Sequence, residues 1–262
     1  IGGLHVVLPR LSFKWFASEN TTVRGGVGKF SGGSPGVWVS NSYSNDGVIS
    51  DSSNAFGVVN VPPSPDAATG QYIPADVLAA LSSESPDGSV NALSPDFEIP
   101  TTTKFNIGVA FQTDLGILGE DWLLSADVLY NTLENTPYWY DQRCERPVAT
   151  APDGRGVYDC GGAPEAIVVG SFNGGESTLF ALSVTKDWDT KAGRFDLFAS
   201  YTHADVKDIG YGTSSTATSN YSDFAAYDRQ SPREGISNFQ VEHMLKIRVN
   251  WSKRQRRTTY LG

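Results

Sequence analysis

The chain has 262 residues, with 27 Gly, 11% aromatic residues and one Met, a balance that leans towards β structure in one large domain or two small ones. A net charge of −9 argues against nucleic acid as a partner, because phosphate binding needs basic patches. No run reaches the eighteen or more apolar residues of a spanning helix, which excludes helical membrane proteins but not barrels, since only alternate strand residues face lipid.

In chain order, Leu11, Phe13, Trp15 and Ala17 alternate with Ser12, Lys14 and Phe16, which predicts a first strand. A turn at Ser18 to Thr21 leads to a second strand, Thr22 to Ser31, whose Gly25, Gly26 and Gly28 mark a bend or the close approach of another backbone. Gly28-Lys29 lacks both the following Ser or Thr and the upstream Gly of a phosphate loop, so a bent strand is expected there. Residues 32 to 102 form a long polar connection in which Pro74 and Ala75 to Ser83 read as one short helix. Asn45, Asp46 and Asp51 offer oxygen ligands in that connection without EF-hand spacing, and no metal site is assigned.

The hairpin Thr103 to Thr132 carries the clearest pattern. Phe105, Ile107, Val109 and Phe111 share one face and Asn106, Gly108, Ala110 and Gln112 the other. After a turn with Gly116 and Gly119, Trp122, Leu124, Ala126, Val128 and Tyr130 form a second apolar row. Each arm is about ten residues long, the length of a tilted strand crossing a bilayer.

A second long connection, 133–165, holds Tyr138, Trp139 and Tyr140 together with Cys144 and Cys160. The three aromatics have two readings: part of an interfacial girdle, or a stacking platform for a sugar or aromatic chelate. With Trp38 they are the candidate ligand-binding residues. The two cysteines are the only ones in the chain and no His lies near them, so a disulfide is expected over a zinc site, with two free thiols as the alternative. Closing that loop adds up to ~3 kcal/mol in the chain-entropy account and implies an oxidising compartment.

Phe180, Leu182 and Val184 predict a fifth strand, Asp187 to Gly193 a turn, and Phe195, Leu197, Ala199 and Tyr201 a sixth strand. His203 and Asp205 could share a strand face and hold a metal, but lack a third ligand, so a solvated strand end is expected. A third long loop, 204–237, precedes a last strand with Leu245, Ile247, Val249 and Trp251 opposite Lys246 and Arg248, a face that must be wet. The basic cluster Lys253, Arg254, Arg256 and Arg257 is read as solvating a turn.

Connections alternate short and long through seven candidate strands, as in outer-membrane barrels with short periplasmic turns and long extracellular loops. The expected fold is therefore all-β: an antiparallel transmembrane β-barrel wall, about seven strands of a larger barrel, with loops at 32–102, 133–165 and 204–237. A secreted soluble β-sandwich binding glycans is the rival; it fits the disulfide and the acidic charge but accommodates the Lys246/Arg248 face only if that face is outward. Glu98, Asp127, Glu134 and Asp196 form no readable carboxylate pair, and no Ser/His/Asp or Cys/His set is present. Neither an enzyme nor a cofactor is expected.

Val23-Arg24-Gly25-Gly26-Val27-Gly28-Lys29-Phe30 followed by Pro35-Gly36-Val37-Trp38-Val39-Ser40-Asn41 resembles the barrel of TonB-dependent outer-membrane receptors, most closely the Oar-like branch. Phe105 to Val109, Asp127 to Tyr130, Asp153 to Arg155 and the His243-to-Trp251 strand fit the same pattern. The resemblance implies a barrel of about 22 strands around a plug. It also implies a TonB-type energy-coupling protein acting through that plug, and import of a scarce nutrient: an iron chelate, cobalamin, glycan or peptide. The implied location is the outer membrane of a Gram-negative bacterium, with lipid and a small-molecule or glycan cargo as partners. The chain opens at Ile1 without a signal peptide, no plug or TonB-interaction segment is found, and Tyr260-Leu261-Gly262 lacks a terminal aromatic residue. An interior portion of the wall is therefore expected.

Overall fold

The computed structural model describes residues 5–32, 35–44, 63–65, 72–74, 89–144, 146–161, 165–210, 212–223 and 226–253. Its strands are β1 (Arg10–Ser18), β2 (Thr21–Ser31), β3 (Pro63–Pro65), β4 (Tyr72–Pro74), β5 (Val90–Leu93), β6 (Thr101–Thr113), β7 (Trp122–Glu134) and β8 (Thr136–Asp141). They continue as β9 (Ala149–Thr150), β10 (Gly156–Val157), β11 (Ala166–Phe172), β12 (Glu176–Thr190), β13 (Gly193–Asp208), β14 (Gly235–Ile236) and β15 (His243–Ser252). Among the described residues two α-helices lie in the connections, α1 (Pro35–Ser44) and α2 (Ala217–Ser222).

The period-two rows become one antiparallel sheet in the order β1-β2-β6-β7-β12-β13-β15, with β14 extending the β15 side of β13. Register is continuous from β2 to β15, with one shift between Phe16 and Ser18 where β1 pairs with β2. Ile107 opposes Val128, Val128 opposes Phe180, Phe180 opposes His203, and His203 opposes His243. The seven long strands among the described residues all lie in this one sheet, an arrangement unlike a two-sheet sandwich. Among the described residues β1 and β15 each pair along one side only.

Both faces of the sheet are open to their surroundings. Ile247, in the middle of an apolar row, is 66% exposed. The opposite face carries the polar set. There Arg24 donates to both carboxylate oxygens of Asp127 at 2.8 and 2.9 Å, Ser125 and Ser183 share a hydrogen bond, and Arg248 lies 5.6 Å over the Phe198 ring. Gly108 lies beneath the Arg24–Asp127 pair, and a Cβ there would come within 2.0 Å of Asp127 Oδ1. That glycine is a close-approach position.

Several boundaries differ from the sequence reading: β7 runs to Glu134 and β13 to Asp208, into the expected loops 133–165 and 204–237. The turn at 187–193 shortens, because the alternation continues through Asp187 and Trp188 and β12 runs on to Thr190. Lys186 thereby falls on the apolar face, where it is buried. Its ammonium reaches down the strand to donate to the Glu120 carbonyl beside Trp188 and Trp122, as snorkelling cations do.

The connection at 32–102 is not without structure of its own: it holds α1, the β3–β4 pair and β5, and β6 begins at Thr101. Gly36 and the β-branched Val37 and Val39 argue against a helix at α1, but Trp38 and Val39 pack on a core there, and packing outweighs propensity. The helix expected at Pro74 to Ser83 falls outside the described residues apart from Pro74, which ends β4.

The core belongs to the connections, not to the wall. β5, β11 and β8 make a small sheet in which β5 runs parallel and β8 antiparallel to β11. One face buries Trp139, Ile167 and Val169 with Phe97 and Ala217, flanked by Trp38, Val39, Leu93 and Tyr221. All three long connections contribute.

Candidate ligand-capture site

Alternation along β8 splits the aromatic triplet. Trp139 points into the core and is 0% exposed, with Trp38 edge-on at 6.3 Å. These two pack the core, and burial removes Trp139 from any surface a ligand could meet. Tyr138 and Tyr140 point to the other face, half-buried, their rings stacked 5.4 Å apart. Phe172 meets Tyr138 edge-on at 6.4 Å, and a Cβ at Gly170 would press 2.8 Å from the Tyr138 ring. The glycine lets the tyrosine lie flat across β11.

This aromatic strip adjoins polar groups of the third connection. Glu234 accepts from the Gly175 amide at 2.6 Å and lines a cleft of about 360 Å³ with Asp208, Tyr227, Asp228, Arg233 and Asn238. The Arg233 guanidinium lies 4.7 Å over the Tyr227 ring. The cleft is at the lower end of the size range of small-molecule sites. Burial raises the Tyr138 phenol above its ordinary value, helped by the neighbouring Tyr140. Tyr158 is raised by burial and by its hydrogen bond to Asp228. Both phenols stay neutral at physiological pH, as groups suited to stacking and hydrogen bonding.

The loops are tied to each other. Cys144 and Cys160 are joined by a disulfide. Gln230 clamps that loop: it accepts from the Asp141 amide at 2.9 Å and donates to the carbonyls of Asp141 and Cys144 at 2.6 and 2.9 Å. Asp141 is buried and paired with Arg143, whose guanidinium is held charged chiefly by that hydrogen bond. Asn41 of α1 accepts from the Ala217 amide at 2.7 Å, fixing the start of α2. Gln230, Phe172 and Glu234 carry no signal in the sequence, since their partners lie in other connections, and the Pro35-to-Asn41 motif contains Asn41 without pointing to its partner.

The four carboxylates considered from the sequence are dispersed. Glu98 meets Asn135, Asp127 meets Arg24, Glu134 meets Lys29, and Asp196 meets Arg194. Asn45, Asp46 and Asp51 lie outside the described residues, as do Arg254, Arg256 and Arg257.

A single-sheet wall with an apolar face, a polar face, short turns at one end and a loop-built cap at the other defines an outer-membrane β-barrel protein. The sequence matches the family described as outer membrane beta barrel domain over residues 4–259, and the chain belongs to that family. Its place is the outer membrane, with the apolar rows towards lipid. No curated protein sequence matches it. Among solved structures, the siderophore receptor PirA from Pseudomonas aeruginosa aligns at 10% identity with a TM-score of 0.30, over 76% of this chain and 35% of that one. The chain spans about a third of that receptor's length.

Proposed function

We propose that the chain is wall and loops of a TonB-dependent receptor that captures a scarce nutrient at the cell surface and passes it through a plugged barrel. The observation that carries this reading is the cap: a small sheet, β5-β11-β8, shares one core with residues of all three long connections, the third through α2, a built structure that a passive pore does not need. The Tyr138–Tyr140 stack with Phe172 and the adjoining cleft would hold a cargo with a flat face, a sugar ring or an aromatic chelate. The pairing of β1 and β15 along one side only, among the described residues, supports a wall completed by further strands, because each unpaired backbone group costs several kcal/mol in hydrocarbon.

The test is uptake by cells carrying the whole receptor, offered a panel of ferric chelates, cobalamin, oligosaccharides and peptides. One class should accumulate only while the inner membrane is energised. Tyr138→Ala with Tyr140→Ala should lower surface binding of that class about tenfold or more at equal receptor abundance. Accumulation that persists after the inner membrane is de-energised would reduce the protein to a diffusion pore.

A further inference from the structure

The sheet register supplies what the sequence lacks around His203. His203 on β13 and His243 on β15 are directly opposite, a cross-strand pair with ring centroids 5.0 Å apart. Glu242, the residue before β15, turns back over them, its Oε1 3.5 Å from His243 Nε2 and 3.8 Å from His203 Nε2. Both imidazole nitrogens thus converge on one carboxylate oxygen. The Tyr201 hydroxyl lies 2.8 Å from His243 Nδ1 and its ring stacks on that imidazole. With the ring proton on Nδ1 donating to Tyr201, the lone pair of Nε2 points at Glu242.

We propose that His203, His243 and Glu242 form a site for a first-row divalent metal ion of the zinc class, with Tyr201 as positioning residue, clamping β13 to β15. The proposal is independent of the receptor reading. In a tetrahedral zinc site with bonds of about 2.1 Å, ligand atoms stand about 3.4 Å apart. Two of the three separations already approach that spacing, and the three ligand atoms all fall within 4.8 Å of one another. Small rotations of two exposed rings close the remainder. Two nitrogens and one oxygen leave a fourth position for water, and this donor set favours copper and zinc over calcium or magnesium. A tyrosine oxygen on the far ring nitrogen is the partner that orients a ligating histidine.

The location suits an aqueous ion. From the Phe195–Trp251 row to the His203–His243 row is eight residues, about 26 Å along a strand and about 20 Å in height at a tilt of ~40°. That places the pair near the upper boundary of the apolar band, which is about 25 Å tall. Asp205, Glu176 and Lys207 follow immediately above on the same face.

Equilibrium dialysis of the full chain folded in detergent, against zinc chloride, tests this directly. One zinc per chain should bind. His203→Gln and His243→Gln should each abolish binding, Tyr201→Phe should weaken it about tenfold, and His5→Gln, the remaining histidine, should leave it unchanged. Copper(II) on the unmodified chain should give an electron paramagnetic resonance spectrum with two coupled imidazole nitrogens, a readout that does not depend on any variant folding. Loss of one nitrogen coupling in His203→Gln would place that ring on the metal. No saturable binding, or full-affinity binding in both histidine variants, would overturn the proposal.

Discussion

The wall and the cap solve opposite problems with the same element. In the wall, a strand row such as Leu245, Ile247 and Val249 is left facing outward, and among the described residues the core cluster draws nothing from the large sheet. In the cap, three short strands of four, six and seven residues bury Trp139, Ile167 and Val169 almost completely. The difference follows from what each region dissolves in. Lipid accepts apolar side chains but no free backbone groups, so the wall needs ladders and register. Water accepts backbone but drives apolar side chains together, so the cap needs a core. Hydrogen bonds between loops, such as those of Gln230 and Asn41, then fix which loop lies where.

Perturbations of the two regions should therefore separate cleanly. Trp139→Ala should have the largest effect, about 3–5 kcal/mol, confined to the cap. Hydrogen exchange should speed up in β8 and β11 while β12 and β13 keep their protection; equal loosening of both would break the distinction. Ile247→Arg should cost the wall about 2–4 kcal/mol in lipid vesicles, depending on depth. Asn250→Ala, on the polar face of the same strand, should be near neutral in urea unfolding. A comparable cost for both would mean that the faces are wrongly assigned.

Replacing Cys144 and Cys160 together by Ala should destabilise the cap by ~3 kcal/mol and leave the heat-modifiable gel migration of the wall unchanged. Mass measurement after alkylation without reductant should find neither cysteine of the unmodified chain labelled. Gly108→Ala should cost about 1–3 kcal/mol, since its Cβ must displace the Asp127 carboxylate from Arg24. Asp127→Asn alone should cost within about 1 kcal/mol, because Arg24 is half-exposed.

The smallest effect is alkaline. Burial raises Tyr138 and Tyr221 above their unfolded value of 10.0, so the folded cap holds these protons more tightly. Their stabilising contribution is complete below about pH 10 and is lost as pH rises through the folded values. Near-ultraviolet circular dichroism should show the cap loosening there before the wall, and Tyr138→Phe should flatten the dependence.

Period two along Phe105 to Phe111 and along Leu245 to Trp251 determines the two faces of the wall, because alternation is a property of contiguous residues. The spacing of turns against long connections determines which end carries the cap. Two cysteines, and no others, leave each a single partner within the chain. Tertiary structure decides the rest. Alternation separates Trp139 from Tyr138 and Tyr140, but only the arrival of β11, α1 and α2 makes the Trp139 side the core. Pro35–Ser44 is a helix because Trp38 and Val39 find that core, against the preferences of Gly36 and Val37. His203 meets His243 across a connection of more than thirty residues, through a register that local sequence does not encode. Backbone pattern is fixed by neighbours in the chain; a core and a cluster of ligands are fixed by neighbours in space.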